Sequence, residues 1–334
     1  MNKKVLFITS VYRIGERIYP IIPKLKEKLF DIDLIKVNEM SSEMSWYGTI
    51  DPRTSFDNLY SKHIGNTFDV GFNGFKDKNI NINLSEYDII IYDDSRARYG
   101  LNTETAKDYN SGYKKVFDYL MVFGNMDIEA HNIGDKLLKM GIPSNDILKD
   151  YNKSEDYILC VTNFLANHWV KLNSCPLRVD EKYVENLGLA ELQGEFNKKV
   201  IFKIKTRKDN PNPNEDMDYM RSIINPYLDY EIMMDVEDDN SLISDSFIVL
   251  SPPSTLAFKS IQQGIPTVLI NKAGILGHFR DYKGLVDLDT QQIFDEVERQ
   301  YQSEKEFDFI ESTIEGGLDF TSTDKCINEI MSVL

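Results

Sequence analysis

A chain of 334 residues with 42% apolar and 28% charged side chains has the composition of a water-soluble globular protein of roughly two domains. Its net charge of −16 argues against general binding to nucleic acid or anionic lipid, so an anionic ligand would need a local basic site. No apolar run approaches the roughly 18 residues of a membrane span. Three cysteines (Cys160, Cys175, Cys326) and four scattered histidines supply neither a disulfide framework nor a zinc set.

Met1–Thr9 runs straight into strand-like sequence without a cleavage-site pattern, so no signal peptide is expected and a reduced cytoplasm fits. Val5–Thr9 reads as a buried strand, Lys24–Phe30 as a helix that opens near Pro20 and Pro23, and Asp33–Val37 as a second strand. Glu39–Asn83 reads as irregular, with Trp46, Tyr47, Phe56, Tyr60, Phe68, Phe72 and Phe75 suited either to stacking on sugar rings or to packing on the core. Asp88–Tyr92 is a buried strand that runs into Asp93 and Asp94. A helix near Ser111–Tyr119, a short strand Leu120–Phe123 and a helix over Asp127–Met140 follow. The last is predicted to stop at Gly141-Ile142-Pro143.

Polar sequence at Ser144–Asp156 marks a boundary, giving domains 1–150 and 151–334. The second half restarts with strand Tyr157–Val161 and helix Glu181–Leu192. Strand Val200–Ile204, a helix near Asp216–Ile224 and a strand near Glu231–Met234 come next, and helices near Gln291–Gln302 and Asp324–Val333 close the chain. Short apolar strands alternating with helices indicate parallel sheets covered on both faces. The expected fold class is therefore α/β, two Rossmann-like domains facing a cleft.

Phe247–Ile270 (FIVLSPPSTLAFKSIQQGIPTVLI) carries the most chemistry. It reads as strand Phe247–Leu250, a hydroxyl-rich turn, helix Leu256–Gln263 stopped by Gly264, and strand Thr267–Ile270. Small hydroxyl residues at a helix start place N–H groups and hydroxyls at its positive end, which suits a phosphate. Alternatively, Ser254 or Thr255 only caps the helix.

Three segments carry a family resemblance. They are Tyr119–Pro143, the strand and basic loop Val200–Arg207 (VIFKIKTR), and the block Asp239–Ile270 with its S-x-x-S-T turn and G-x-P ending. In this order they resemble the GT-B glycosyltransferases. The nearest branch is that of the CDP-glycerol glycerophosphotransferases and capsule polysaccharide transferases, with the UDP-N-acetylglucosamine 2-epimerases as a related fold. The resemblance implies a nucleotide-sugar or CDP-glycerol-like donor and a glycan or lipid-linked acceptor. It implies no bound cofactor beyond that donor. Two departures stand out. The basic loop reads Lys205-Thr206 where those families write His-Pro. The acidic residue that tends to hold a sugar or ribose hydroxyl, four positions after the Thr of S-T, is here Lys259.

A metal-independent transferase must stabilise its leaving diphosphate with oriented dipoles and cations. Candidate donor-site residues are Ser251, Ser254 and Thr255, with Lys205, Arg207, Lys259 and His278. Arg13 and Arg17 could clamp an anion after the first strand, and Lys203 points inward or away according to strand alternation. Asp239 and Asp245 flank a short turn that capping would explain. Candidate bases are Asp94, Asp93 and His63, although the aspartates could equally cap the next segment. No metal site is expected.

The main functional expectation is a metal-independent transferase moving a sugar or glycerophosphate. The alternatives are a UDP-sugar epimerase or hydrolase on the same fold, and a non-catalytic binding protein that retains the fold. No nucleic acid partner is expected, and a homodimer is allowed. The expected location is cytoplasmic, including the inner face of the membrane.

Overall fold

The computed structural model describes residues 3–9, 20–28, 30–36, 67–72, 75–83, 86–93, 118–131, 136–162, 179–204, 213–234, 236, 238–271, 277–302 and 307–334. They form two α/β units. One comprises Met1–Ile147 with Ile310–Leu334, and the other is Leu148–Phe309. Among the described residues no helix is long and apolar enough to cross a membrane.

In the first unit, β1 (Lys3–Thr9), β2 (Phe30–Lys36), β5 (Ile89–Asp93), β6 (Tyr119–Val122) and β7 (Leu137–Lys139) form a parallel sheet in the order β2-β1-β5-β6-β7. Val5, Phe7, Ile91, Met121 and Leu138 present one apolar face of it. That face is covered by Ile21 and Leu25 of α1 (Ile21–Glu27) and by Cys326, Ile327 and Ile330 of the closing helix. Within the stretch read as irregular, β3 (Thr67–Phe72) and β4 (Phe75–Asn83) pair antiparallel. The alternation Phe68, Val70, Phe72 against Ile80, Ile82 is the period-two signal of that pairing.

The helix expected over Asp127–Met140 is two elements instead. A short α2 (Asn125–His131) is followed by edge strand β7. Leu137 and Leu138 are both buried, so this strand lacks the alternation that separates strand from helix. The Asp127 carboxylate accepts hydrogen bonds from the Phe123 and Gly124 N–H groups (2.9 and 3.4 Å) and so secures the turn into α2. Gly141 has φ +62°, and a Cβ there would lie 2.0 Å from the Glu315 carbonyl oxygen, so only glycine fits this reversal. A 3₁₀ helix, Pro143–Asp150, occupies the polar stretch that was read as a boundary.

The second unit is a six-stranded parallel sheet. It contains β8 (Tyr157–Thr162), β9 (Lys199–Ile204), β10 (Tyr230–Met234), β11 (Ser246–Ser251), β12 (Thr267–Asn271) and β13 (Leu285–Asp287), in the order β10-β9-β8-β11-β12-β13. One face packs Ile158, Cys160, Val200, Phe202, Ile248 and Leu250 against α3 (Glu181–Glu185), α4 (Leu189–Phe196), α5 (Pro213–Ile223) and α8 (Thr290–Gln302). The other packs Leu159, Val161, Ile201 and Val249 against α6 (Asp239–Ser244) and α7 (Thr255–Gln263). The single helix expected over Glu181–Leu192 is broken into α3 and α4 at Gly188, which has φ +61°.

After α8, α9 (Phe307–Thr313) leads to α10 (Ser322–Val333). The sequence placed residues 151–334 in the second domain, but Ile310–Leu334 belongs to the first unit. The apolar stripe of α10 predicts a helix without saying which sheet it covers.

Candidate functional site

In parallel sheets every strand ends on the same edge, and ligands sit where the strand order reverses direction. Numbered within the second unit, its six strands run 3-2-1-4-5-6, so the reversal falls between β8 and β11. β8 ends there at Thr162 and β11 at Ser251, directly before the Ser-Pro-Pro-Ser-Thr turn. The same count for the five-stranded sheet gives 2-1-3-4-5 once the β3–β4 hairpin is set aside. The reversal there lies between β1 and β5, whose last residues, Thr9 and Asp93, pair in register.

The turn is built from buried hydroxyls. Ser251 Oγ donates to the Pro252 carbonyl (2.7 Å) and lies 3.2 Å from Ser254 Oγ; both serines are buried. Ser254 adopts an extended backbone and its Oγ accepts from the Ala257 N–H at 3.3 Å, so it is the N-cap of α7. Thr255, the first residue of α7, is exposed. Leu256, Ala257, Phe258 and Ile261 bury the helix, and Gly264 ends it at φ +68° with Ile265 N–H bonded to the Ser260 carbonyl. The positive N-terminal end of α7 is thereby placed at the switch point, with Ser254 capping the helix and Thr255 exposed.

Cations approach this edge from two directions. Lys259 is one helical turn beyond Thr255, and its Nζ donates to Asn240 Oδ1 at 2.7 Å. Strand alternation puts Lys203 of β9 on the α6–α7 face, where its Nζ stands 3.1 Å from Asp239 Oδ1. Oδ1 of Asp239 is sealed from solvent and makes no well-aligned hydrogen bond, so this contact is an ion pair held by charge. The buried Thr162 hydroxyl donates to the Lys203 carbonyl at 3.3 Å, tying β9 to the end of β8. Asp238, next to Asp239, caps α6 by accepting from Asn240 and Ser241 N–H and also accepts from Tyr151 Oη. Asp245 at the other end of α6 accepts from Ser154 and Ser241 Oγ. Thr162 and Asn240 carry no sequence signal of their own, and only the strand register and the α6 cap bring them to the site.

His278 lies in a short 3₁₀ turn, Gly277–Phe279, and is 1% exposed, edge-on to Phe258 with ring centroids 6.1 Å apart. It belongs to an aromatic stack in which Phe279 lies 4.3 Å from Phe258, with Phe309 behind. Burial pushes the Cys160 thiol far above its ordinary range, which makes it a core side chain and no nucleophile. Asp93 closes β5, while Asp94, His63, Arg13, Arg17, Lys205 and Arg207 lie outside the described residues. Among the described residues no group of three His, Cys, Asp or Glu side chains could hold a metal ion. A shallow hollow of about 400 Å³ between β13 and α8 is lined by Asp287, Asp295 and Glu296, with Arg299 paired to Glu296, and its charge does not suit a phosphate.

No family model matches the chain, and no curated protein matches its sequence. Solved structures do. A UDP-GlcNAc 2-epimerase from Methanocaldococcus jannaschii aligns over 99% of this chain and all of its own, with TM-score 0.57 and 12% identity. The Neisseria meningitidis enzyme bound to UDP-GlcNAc aligns over 98% of this chain and 100% of its own, with the same score and identity. S. aureus MnaA in complex with UDP aligns over 99% and 96%, with TM-score 0.60 and 10% identity. The chain has the two-unit, Rossmann-type GT-B-like fold. At this level of identity the likeness is one of fold, and it does not extend to the CDP-glycerol branch.

Proposed function

We propose that this chain is an enzyme acting on a nucleoside-diphosphate sugar, and that its α7 helix start receives the diphosphate. The observation that carries the reading is the buried Ser251–Ser254 turn, which delivers the N-terminus of α7 to the switch point between β8 and β11. Epimerisation of a UDP-sugar is the reaction that the similar structures back best, because two of those named are UDP-GlcNAc 2-epimerases, one with UDP-GlcNAc bound, and the third holds UDP; hydrolysis of a UDP-sugar stays with it as the same reading. Lys259 favours transfer as the second reading, since an ammonium cannot accept hydroxyl protons from a sugar as a carboxylate does. Both classes ask the same of the site: a fixed array of donors and cations for the diphosphate. We assign the base to Asp93 or Asp94, with no divalent metal and no bound cofactor.

Thermal unfolding with UDP, CDP, GDP, ADP and their sugars tests the binding, because a ligand of the native state raises its stability by linkage. NMR of the stabilising sugar nucleotide then separates the chemistries. A new sugar epimer marks an epimerase, free sugar with nucleotide marks a hydrolase, and nucleotide release only with an acceptor marks a transferase. No stabilisation by any nucleoside diphosphate or its sugars at millimolar concentration would overturn the reading.

A further inference from the structure

Helices α6 and α7 run side by side in the same direction. Lys259 Nζ donates to Asn240 Oδ1 at 2.7 Å, and one turn further along both helices Gln263 Nε2 donates to Ser244 Oγ at 2.6 Å. The partners are 19 residues apart in both cases, so the two helices keep one register. Continued back by one residue, that register sets Asp239, the first residue of α6, level with Phe258. Phe258 lies three residues past Thr255, roughly 4.5 Å along the axis at 1.5 Å per residue. Asp239 therefore stands beside the first turn of α7, the helix whose start is assigned to the diphosphate.

The two oxygens of Asp239 have different surroundings. Oδ1 is sealed from solvent and held 3.1 Å from Lys203 Nζ, yet the side chain is 39% exposed, so the open part of the carboxylate is Oδ2. Capping does not account for this residue, because Asp238 is the N-cap of α6 and also accepts from Tyr151 Oη. A carboxylate oxygen only accepts hydrogen bonds and repels phosphate, so beside a diphosphate it suits the hydroxyls of the same ligand. We propose that Asp239 Oδ2 accepts a hydrogen bond from a hydroxyl of the nucleotide ligand, on its ribose or on the sugar carried by its diphosphate. Lys203 fixes the rotation of the carboxylate and offsets its charge towards the phosphates. Asp239 is thereby a specificity-determining residue. This inference rests on the diphosphate reading above and adds a second contact to it, from α6.

The measurement is calorimetric titration of whichever of UDP, CDP, GDP or ADP stabilises the chain most, with its 2′-deoxy and 3′-deoxy forms and its sugar derivative. Urea unfolding of each variant checks the fold. If the hydroxyl is on the ribose, the wild type should prefer the full ribonucleotide to one of the deoxy forms by about tenfold, the lower end for a hydrogen bond to a charged group. Asp239→Asn should bring that ratio to within about threefold. If it is on the sugar, the deoxy ratios stay put and the preference for the sugar derivative over the bare diphosphate falls instead.

A role for Asp239 as nothing more than the counter-ion of Lys203 predicts that Asp239→Asn changes the affinity for all these ligands by one common factor. Such a result, with every ratio unmoved in the folded variant, overturns the proposal. So does a wild type without any of these preferences, or a variant that loses only its choice among the four bases. In each of these cases wild-type binding leaves the diphosphate reading standing. Should Asp239→Asn fail to fold, Asp239→Glu takes its place: it keeps the charge and moves the oxygens by one methylene, so the ratio should still fall, and an unchanged ratio overturns the proposal. Failure of the wild type to bind any of the four diphosphates or their sugars removes the underlying reading instead.

Discussion

Ser254 and Thr255 are neighbours with different structural duties, and this separates helix support from ligand contact. Ser254→Ala removes the N-cap of α7. Such losses cost roughly 0.5–2 kcal/mol. The bond to Ala257 N–H is long at 3.3 Å, and Ser251 keeps the Pro252 carbonyl as a partner at 2.7 Å. A cost of about 1 kcal/mol follows, which lowers Tm by roughly 2–4 °C for a unit of this size. Thr255→Ala removes an exposed hydroxyl at the first helical position. Alanine is the better helix former, so stability should stay within about 0.5 kcal/mol of wild type. If the Thr255 hydroxyl hydrogen-bonds a phosphate oxygen, its loss should weaken diphosphate binding by about 1.5–3 kcal/mol. That is roughly ten- to a hundredfold in Kd. Differential scanning fluorimetry and calorimetric titration of both variants give the two readouts. The reasoning fails if Thr255→Ala binds UDP and the other diphosphates like wild type while Ser254→Ala loses binding at unchanged stability.

Asp146 accepts from the Ser322 and Thr323 N–H groups (3.1 and 2.7 Å) and so caps α10 from far away in the sequence, where Thr321 makes no side-chain cap. Asp146→Ala should cost about 1–3 kcal/mol in urea unfolding and speed amide exchange in α10 above all; uniform exchange would contradict a local cap. Burial pushes the Tyr157 and Tyr183 phenols well above their ordinary value of 10.0, helped at Tyr157 by the Asp245 and Asp156 carboxylates. The unfolded chain then gives up these protons first. Their contribution is whole below pH about 10 and is lost as pH rises beyond it. Alkaline unfolding should begin there and move upward in Tyr157→Phe with Tyr183→Phe; an onset that does not move removes these phenols as its cause. Turnover should survive EDTA, and Asp93→Asn with Asp94→Asn should lower kcat far more than it weakens nucleotide binding. Full turnover in that double variant excludes the assigned base, and activity lost to chelation and restored by Mg²⁺ excludes the metal-free mechanism.

The legible parts of the fold were those where local chemistry and tertiary role agree. Gly264, the apolar run before Ser251 and the hydroxyls at 254 and 255 set the limits of β11, α7 and β12 to within a residue or two, because each limit is a local event. Tertiary burial hid other elements. Leu137–Lys139 looks helical until β6 is beside it. Phe30 reads as a helix end, although in the sheet it opens β2, paired with Lys3. In the site, the hydroxyl turn could be read from the sequence, but the role of Lys203 could not, since alternation fixes its face only once the β8–β9 register is known. Asn240 gave no signal, because its contact with Lys259 spans two helices.

The return of residues 310–334 to the first unit has a consequence for how the chain comes off the ribosome. Leu148–Phe309 is contiguous and can fold as soon as it emerges. The first sheet must wait, with Val5, Phe7, Met121 and Leu138 lacking the cover of Cys326, Ile327 and Ile330 until α10 is made. During that interval an apolar sheet face stands open, which makes it the natural client surface for a chaperone. A stop codon between Phe309 and Cys326 would leave the second unit whole and the first one sticky.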